Sequence, residues 1–276
     1  MISEPLGNFR FQLAEGPFWD SKSGNLWWVD IIGNKVCHIN PREIGTFREF
    51  SFVEPSAVID VTLDSVVICA GSHVYWLERN FGTVQKSIQL PEIGSNNRTN
   101  EAKMDSFGNM WIGTMNRDQC SRTGNIWRID PAGNVHHMLD HMGIPNTFAW
   151  DETRNRMYFG DSLDGNIYVS SIDSESTSTL DKTIFFHYSQ APGVPDGSAI
   201  DDQGRLFNAR WGGSMIAVIN HDGVLETTID VPVEFPTSCI FSPMNCHELF
   251  VTTAKHSSKH VLSGAVLRFF RANFGR

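Results

Sequence analysis

DSKSGNLWWVD, residues 20–30, sets the pattern for the whole chain. An aspartate opens a turn containing glycine or asparagine, and a short run of β-forming apolar residues follows it. The arrangement returns as DSVVICAG at 64–71, DSFGNMWIGTM at 105–115, DETRNRMYFGDS at 151–162 and DDQGRLFNARW at 201–211. A weaker copy, SPMNCHELFVTT, lies at 242–253. The anchors stand roughly 40–50 residues apart, a period that in a chain of short strands marks a β-propeller with one four-stranded blade per repeat. The apolar runs are rich in Val, Ile, Phe, Trp and Tyr and are bounded by Gly, Asp, Asn or Pro, as strands are. Six anchors therefore predict an all-β, six-bladed propeller of four-stranded antiparallel blades, a single domain over residues 1–276. A pair of β-sandwiches would explain the strands but not their regular spacing. No long stretch keeps a 3.6-residue apolar period, so helix is expected to be scarce. Trp27, Trp28, Trp111, Trp127 and Phe207 occupy strand positions and read as packing between blades.

Composition narrows the function. The chain has 276 residues, 41% of them hydrophobic, and a net charge of −9. That charge argues against nucleic acid or an anionic membrane surface as partner. No uninterrupted apolar stretch is long enough to cross a bilayer. The start, MISEPLGNFRFQ, shows no basic region followed by an apolar one, so no secretory signal is visible. Cys37, Cys69, Cys120, Cys239 and Cys246 are odd in number, scattered and without a CxxC pair, which reads as reduced thiols in the cytoplasm. The sequon at Asn97 then has no use as a glycosylation site.

The repeat also supplies a phase. Glu15 lies nine residues before Gly24, Asn100 eight before Gly108, Asn146 nine before Asn155, and Asp196 eight before Gly204. In repeat six the neighbourhood is Thr237-Ser238, also polar; in repeat two it is Ala57-Val58, which is not. Inner strands of a propeller line its channel, so residues of equal phase meet at the axis. Two carboxylates and two amides there suit a hard cation such as Ca²⁺, Mg²⁺ or Mn²⁺, with Zn²⁺ also compatible. The plainer reading is a wet channel whose polar side chains bind water.

The ordered motifs Glu15-Gly16-Pro17, Arg98-TNEAKMDSFGNMWIGTM, Ile144-PNTFAW, Pro195-DG with a later Gly212-Gly213, and Pro236-TSCIF carry a resemblance. The chain resembles the gluconolactonase, regucalcin (senescence marker protein) and luciferin-regenerating enzyme family, six-bladed propellers with a metal on the axis. The resemblance runs from Ala14 to Gly264. It implies one divalent metal ion held by Glu15, Asn146 and Asp196. It places substrate contacts at Arg98, Asn100 and Asp118, and a recurrent lysine at Lys103. The chain departs from the family at Glu101-Ala102, where Asp-Gly is common.

The implied reaction is hydrolysis of a sugar lactone, with the metal polarising the carbonyl and Asp196 activating water. Arg210 and Trp211 follow a blade strand and are candidates for the pocket mouth, where an arginine would favour an acidic or sulfonated sugar lactone. Two other functions stay open: a non-catalytic calcium-binding or interaction propeller, and phosphoester hydrolysis on the same metal. Fold alone does not separate them. Sugar-reading groups beside the metal ligands favour the lactonase. His256 and His260, four apart in Lys255-HSSKH, read as a loop rather than a metal pair, and Asp161 as a turn cap. The run at 8–12, NFRFQ, is the candidate to complete the last blade beside 265–270, AVLRFF.

Overall fold

The computed structural model describes residues 3–80, 82–91, 94, 96–172, 179–242, 248–257 and 259–270. They form six antiparallel sheets of four strands each. Blade one holds β2 (Ala14–Asp20), β3 (Asn25–Asp30), β4 (Lys35–Asn40) and β5 (Glu43–Ser51). Blade two holds β6 (Pro55–Val61), β7 (Ser65–Ala70), β8 (His73–Glu78) and β9 (Val84–Gln89). Blade three comprises β10 (Asn97–Met104), β11 (Met110–Asn116), β12 (Gly124–Ile129) and β13 (Val135–Met142). Blade four comprises β14 (Pro145–Asp151), β15 (Arg156–Asp161), β16 (Asn166–Ser171) and β17 (Thr183–Phe186). Blade five is β18 (Val194–Ile200), β19 (Leu206–Trp211), β20 (Met215–Ile219) and β21 (Leu225–Asp230). In blade six, β22 (Pro236–Phe241), β23 (Glu248–Thr253) and β24 (Leu267–Phe270) are completed by the N-terminal β1 (Glu4–Pro5). The helices among the described residues are two single 3₁₀ turns, and none is long and apolar enough to cross a membrane.

The anchor aspartates make the turns that define the repeat. Asp20 accepts from the Lys22 amide, Asp105 from those of Phe107 and Asn109, and Asp201 from those of Gln203 and Arg205. Such side-chain turns reverse the chain within a few residues. The left-handed position is taken by Gly24 at φ +68° and, in blade four, by Asn155 at φ +51°. In repeat six, residues 243–247, Cys246 among them, lie outside the described residues.

Burial follows position in the blade. Second strands such as β3 and β15 are buried along nearly all their length, whereas β5 and β9 at the outer edge are mostly exposed. A strand covered on both faces reads as a continuous apolar run, and its two faces serve different neighbours. Trp27 packs toward blade two, while Trp28 shares a cluster with Phe250 of blade six. Trp111, Trp127 and Phe207 likewise sit in clusters between adjacent blades, as expected.

The ring closes with the N-terminal segment, but not with the run anticipated for it. Glu4 and Pro5 pair with Arg268 and Leu267, and the Leu6 amide donates to the Val266 carbonyl at 2.8 Å. Residues 8–12 instead turn toward blade one. Phe9 stacks on Phe47 with ring centres 3.9 Å apart, and Phe11 meets Trp28 edge-on at 5.3 Å. Two aromatic anchors thus draw that run out of the blade-six sheet.

Candidate active site

Each inner strand breaks register with its partner at the same point. The irregularity lies between Glu15 and Phe18 in β2, Thr99 and Ala102 in β10, and Asn146 and Ala149 in β14. It lies between Pro195 and Ser198 in β18, Pro236 and Ser238 in β22, and Pro55 and Ala57 in β6. A bulge re-aims the side chain beside it. The six residues so placed are Glu15, Ser56, Asn100, Asn146, Asp196 and Thr237, and all are polar. Ser56, rather than Ala57 or Val58, is thus the axial residue of blade two. Its signal was in the sequence: Pro-polar-small recurs as Pro55-Ser56-Ala57, Pro145-Asn146-Thr147, Pro195-Asp196-Gly197 and Pro236-Thr237-Ser238.

Neighbouring blades are stitched at this level. Ser56 Oγ donates to Thr99 Oγ1 at 2.8 Å, Thr147 Oγ1 to the Asp196 carbonyl at 2.6 Å, and Thr237 Oγ1 to the Ala14 carbonyl at 2.6 Å. Between blades one and two the contact is too close for any side chain: a Cβ on Gly16, at φ +52°, would stand 2.5 Å from Ala57 Cα.

A cavity of about 320 Å³ opens at this end of the channel, lined by Glu15, Arg98, Asn100, Asn146 and Asp196 together with a largely apolar wall. Asn146 is held at both ends. Its Nδ2 donates to Ser162 Oγ at 2.8 Å, Ser162 Oγ donates to the Pro195 carbonyl at 2.6 Å, and its Oδ1 accepts from Asn100 Nδ2 at 3.2 Å. Arg98 Nη1 donates to the Thr99 carbonyl and to Asn100 Oδ1, at 2.8 and 3.1 Å. The guanidinium therefore orients the amide beside it and keeps other donors open to the cavity.

Charge is the notable property of this site. Burial pushes the Glu15 carboxyl up to about 8, the nearby Glu101 charge adding to the effect; the Gly16 amide, Lys103 and a hydrogen bond with Asp196 oppose it. Asp196 is held well above the ordinary carboxylate range, first by burial and then by the charges of Glu15 and Glu101. Among the described residues neither carboxylate has a Lys, Arg or His within ion-pair distance. Two carboxylates and a fixed amide oxygen around one cavity fit a hard divalent cation, which would compensate the charge that burial otherwise suppresses. Among the described residues no cluster of three His, Cys, Asp or Glu is suited to a metal, so a metal here would draw on the amide oxygen besides the two carboxylates.

The remaining expected site residues fall elsewhere. Lys103 Nζ donates to the Phe148 and Ser198 carbonyls and lies 3.8 Å from Glu101. It borders a different cavity, toward the far ends of the inner strands. Asp118 is exposed; its carboxylate accepts from the Cys120 and Ser121 amides and the Ser121 hydroxyl, closing a turn. Its neighbour Gln119 is the residue of that loop that reaches the cavity.

Arg210 does not reach the mouth. It is fully buried, and its guanidinium donates to the carbonyls of Ala191 (3.3 Å), Pro192 (3.1 Å) and Gly193 (2.7 Å) and to Asn208 Oδ1 (3.2 Å). Burial lowers it to about 10, still a cation at neutral pH. The same strand position is occupied by Asp30 in blade one and Asp161 in blade four. Asp30 accepts from the Gln12, Leu13 and Gly33 amides, and Asp161 from the Gly143, Ile144 and Leu163 amides. Each of the three side chains therefore braces the segment leading into an inner strand. Trp211 does line the cavity, and so does His256, which packs on Trp211 and Phe235 at 5.4 and 4.7 Å. His260 Nδ1 accepts from the Leu262 amide at 3.2 Å. Trp211 was legible as the residue after Arg210. Gln119 and His256 sit in loops whose course no periodicity reveals.

Comparison with known proteins agrees with this architecture. A putative sugar lactone lactonase, YvrE, of Bacillus subtilis (strain 168) is 30% identical over 248 residues, covering 89% of this chain and 84% of the relative. A pentonolactonase, XacC, of Haloferax volcanii is 29% identical over 249 residues, 88% and 82% of the two chains. A luciferin-regenerating enzyme of known structure superposes with a TM-score of 0.89 at 25% identity, covering 97% of this chain and 94% of that one. The family model described as SMP-30/Gluconolactonase/LRE-like region matches residues 13–255, and the chain belongs to that family.

Proposed function

We propose that this protein hydrolyses a sugar lactone to the open sugar acid, with one divalent metal ion held by Glu15, Asn146 and Asp196. The observation that carries the reading is the pair of buried, uncompensated carboxylates beside a fixed amide at the floor of the cavity. Arg98 and Asn100 on its wall are the groups that a polyhydroxylated substrate needs. The names of the lactonase relatives support the same reaction class.

A divalent ion held by Glu15, Asn146 and Asp196 would supply Lewis acidity to the lactone carbonyl and charge opposite the developing oxyanion. The protein's own part is positioning and proton transfer. Asp196 takes a proton from the attacking water on one carboxylate oxygen and returns it to the ring oxygen as the acyl–oxygen bond breaks. Arg98 donates to hydroxyl or ring oxygens and the Asn100 amide oxygen accepts from a hydroxyl, which fixes the face that water attacks. Lys103, with its ammonium on two backbone carbonyls beside Glu101, steadies the channel below.

The test is a panel of aldonolactones assayed as isolated, after chelation, and after add-back of Ca²⁺, Zn²⁺, Mg²⁺ or Mn²⁺ in turn. Turnover lost on chelation and restored by one of these ions is expected. Inactivity on every lactone with metal restored would discard the reading and leave a non-catalytic ion-binding propeller.

A further inference from the structure

Successive side chains alternate along a strand, so the residue two positions before each axial donor lies on the same side, one layer nearer the mouth. Those residues are Leu13 before Glu15, Arg98 before Asn100, Ile144 before Asn146 and Val194 before Asp196, and all four line the cavity. Blade three thus supplies a guanidinium at this level, whereas blades one, four and five supply branched aliphatics. Ile31, Leu163 and Trp211 extend the apolar part of the wall, and each is only partly buried.

The polar groups of the upper wall do not break this division. Gln119 belongs to the blade-three side with Arg98 and Asn100. Ser162 is committed to the Pro195 carbonyl and Asn146, and the His256 imidazole, packed on Trp211 and Phe235, is a polar group confined to the Trp211 end of the wall. With Asp118 and Arg210 held elsewhere, no carboxylate or guanidinium among the described residues lines the apolar side at this level; Glu15 and Asp196 lie one layer below. A hydroxyl pressed against Val194 or Leu163 loses its water and finds no charged partner, whereas a methyl there gains cover.

Resting on the lactone-hydrolysis reading, we propose that the substrate is an amphipathic lactone. One edge is hydroxylated and meets Arg98 and Asn100; the other ends in a methyl or short alkyl group lying against Leu13, Ile144, Leu163, Val194 and Trp211. The reaction balances without a redox partner. Water oxygen bonds to the acyl carbon, the acyl–ring-oxygen bond breaks, and the ring oxygen leaves as an alcohol carrying water's proton.

A matched pair tests this: L-fucono-1,4-lactone and L-galactono-1,4-lactone share stereochemistry and differ by a terminal methyl against a hydroxymethyl. With the metal-loaded protein, kcat/KM is expected to favour the methyl compound roughly tenfold. Val194→Thr and Leu163→Asn should each pull that ratio toward one. A wild-type ratio of one or below, or a ratio that neither substitution moves, overturns the inference. A second pair that cannot be hydrolysed, 6-methylpiperidin-2-one and 6-(hydroxymethyl)piperidin-2-one, is compared by calorimetric titration of the same protein. A roughly tenfold preference for the methyl lactam without turnover of either lactone removes the reaction class but keeps the amphipathic site. Turnover with no methyl preference in either pair removes the amphipathic site alone, and failure of both pairs removes both.

Discussion

Replacing Arg210 by methionine separates a brace from a substrate contact. Methionine keeps most of the buried stem and removes the guanidinium that donates to the Ala191, Pro192 and Gly193 carbonyls and to Asn208. Hydrogen bonds from a charged donor contribute about 1.5–3 kcal/mol each when lost singly. They do not sum here, because Pro192 and Gly193 lie near the surface and their carbonyls regain water. Ala191 and Asn208 are buried and remain short of a partner. A net loss of about 3 kcal/mol follows, at the lower end of what breaking a buried charged contact costs. At this chain length, that lowers the midpoint of thermal unfolding by roughly 5 °C. The assay is denaturant and thermal unfolding by circular dichroism, run beside kcat/KM for one neutral and one carboxylated lactone. Both lactones should be affected alike. A stability loss under about 1 kcal/mol, together with selective loss of turnover on the anionic lactone, would refute the brace and restore Arg210 as an anion contact.

Asp196→Asn should leave the fold intact and weaken metal binding modestly while lowering kcat by at least about a hundredfold, as removal of a general base does; near-normal turnover would end its assignment. In chelated protein the folded-state pKa of Glu15, about 8, lies above its ordinary 4.5, so the folded state binds more protons than the unfolded one between those values. Stability is then highest below the lower value and falls as pH rises through the interval, and saturating divalent metal should flatten that slope. A chelated protein whose melting temperature is constant from pH 5 to pH 8 would contradict the buried carboxylate pair. Lys103→Met should cost about 3 kcal/mol by stranding Glu101, and Glu101→Gln in the same chain should recover much of it. Strictly additive effects in the double-mutant cycle would show that the two side chains do not interact.

The propeller was legible because its signals are local and repeated. An aspartate-anchored turn and a two-faced apolar strand recur in five blades and weakly in the sixth, and chance does not return them so often at a spacing of roughly 40–50 residues. That Glu15, Asn146 and Asp196 face one cavity was legible for the same reason: a common phase from a common turn. Ser56 was missed because the second repeat has a different turn geometry, so counting from it slipped by a residue. Arg210 was misplaced because alternation tells which side of a strand a residue takes, not where a long side chain ends. Its guanidinium went to three free carbonyls in a neighbouring loop, a partner with no sequence mark of its own. Asp118 shows the same limit in a loop, where its carboxylate was claimed by amides two and three residues further on.

The braces at Asp30, Asp161 and Arg210 bear on how such a protein can be remodelled. At one strand position the chain uses an acid where the adjoining segment presents amide N–H groups and a base where it presents carbonyls. The side chain is therefore a key cut to the polarity of its loop. Transplanting a top-face loop from one blade to another without its key would set a buried charge against backbone dipoles of the same sign. Loop exchange in this scaffold is thus a two-part operation, and grafts that carry the strand residue along with the loop are the ones expected to fold.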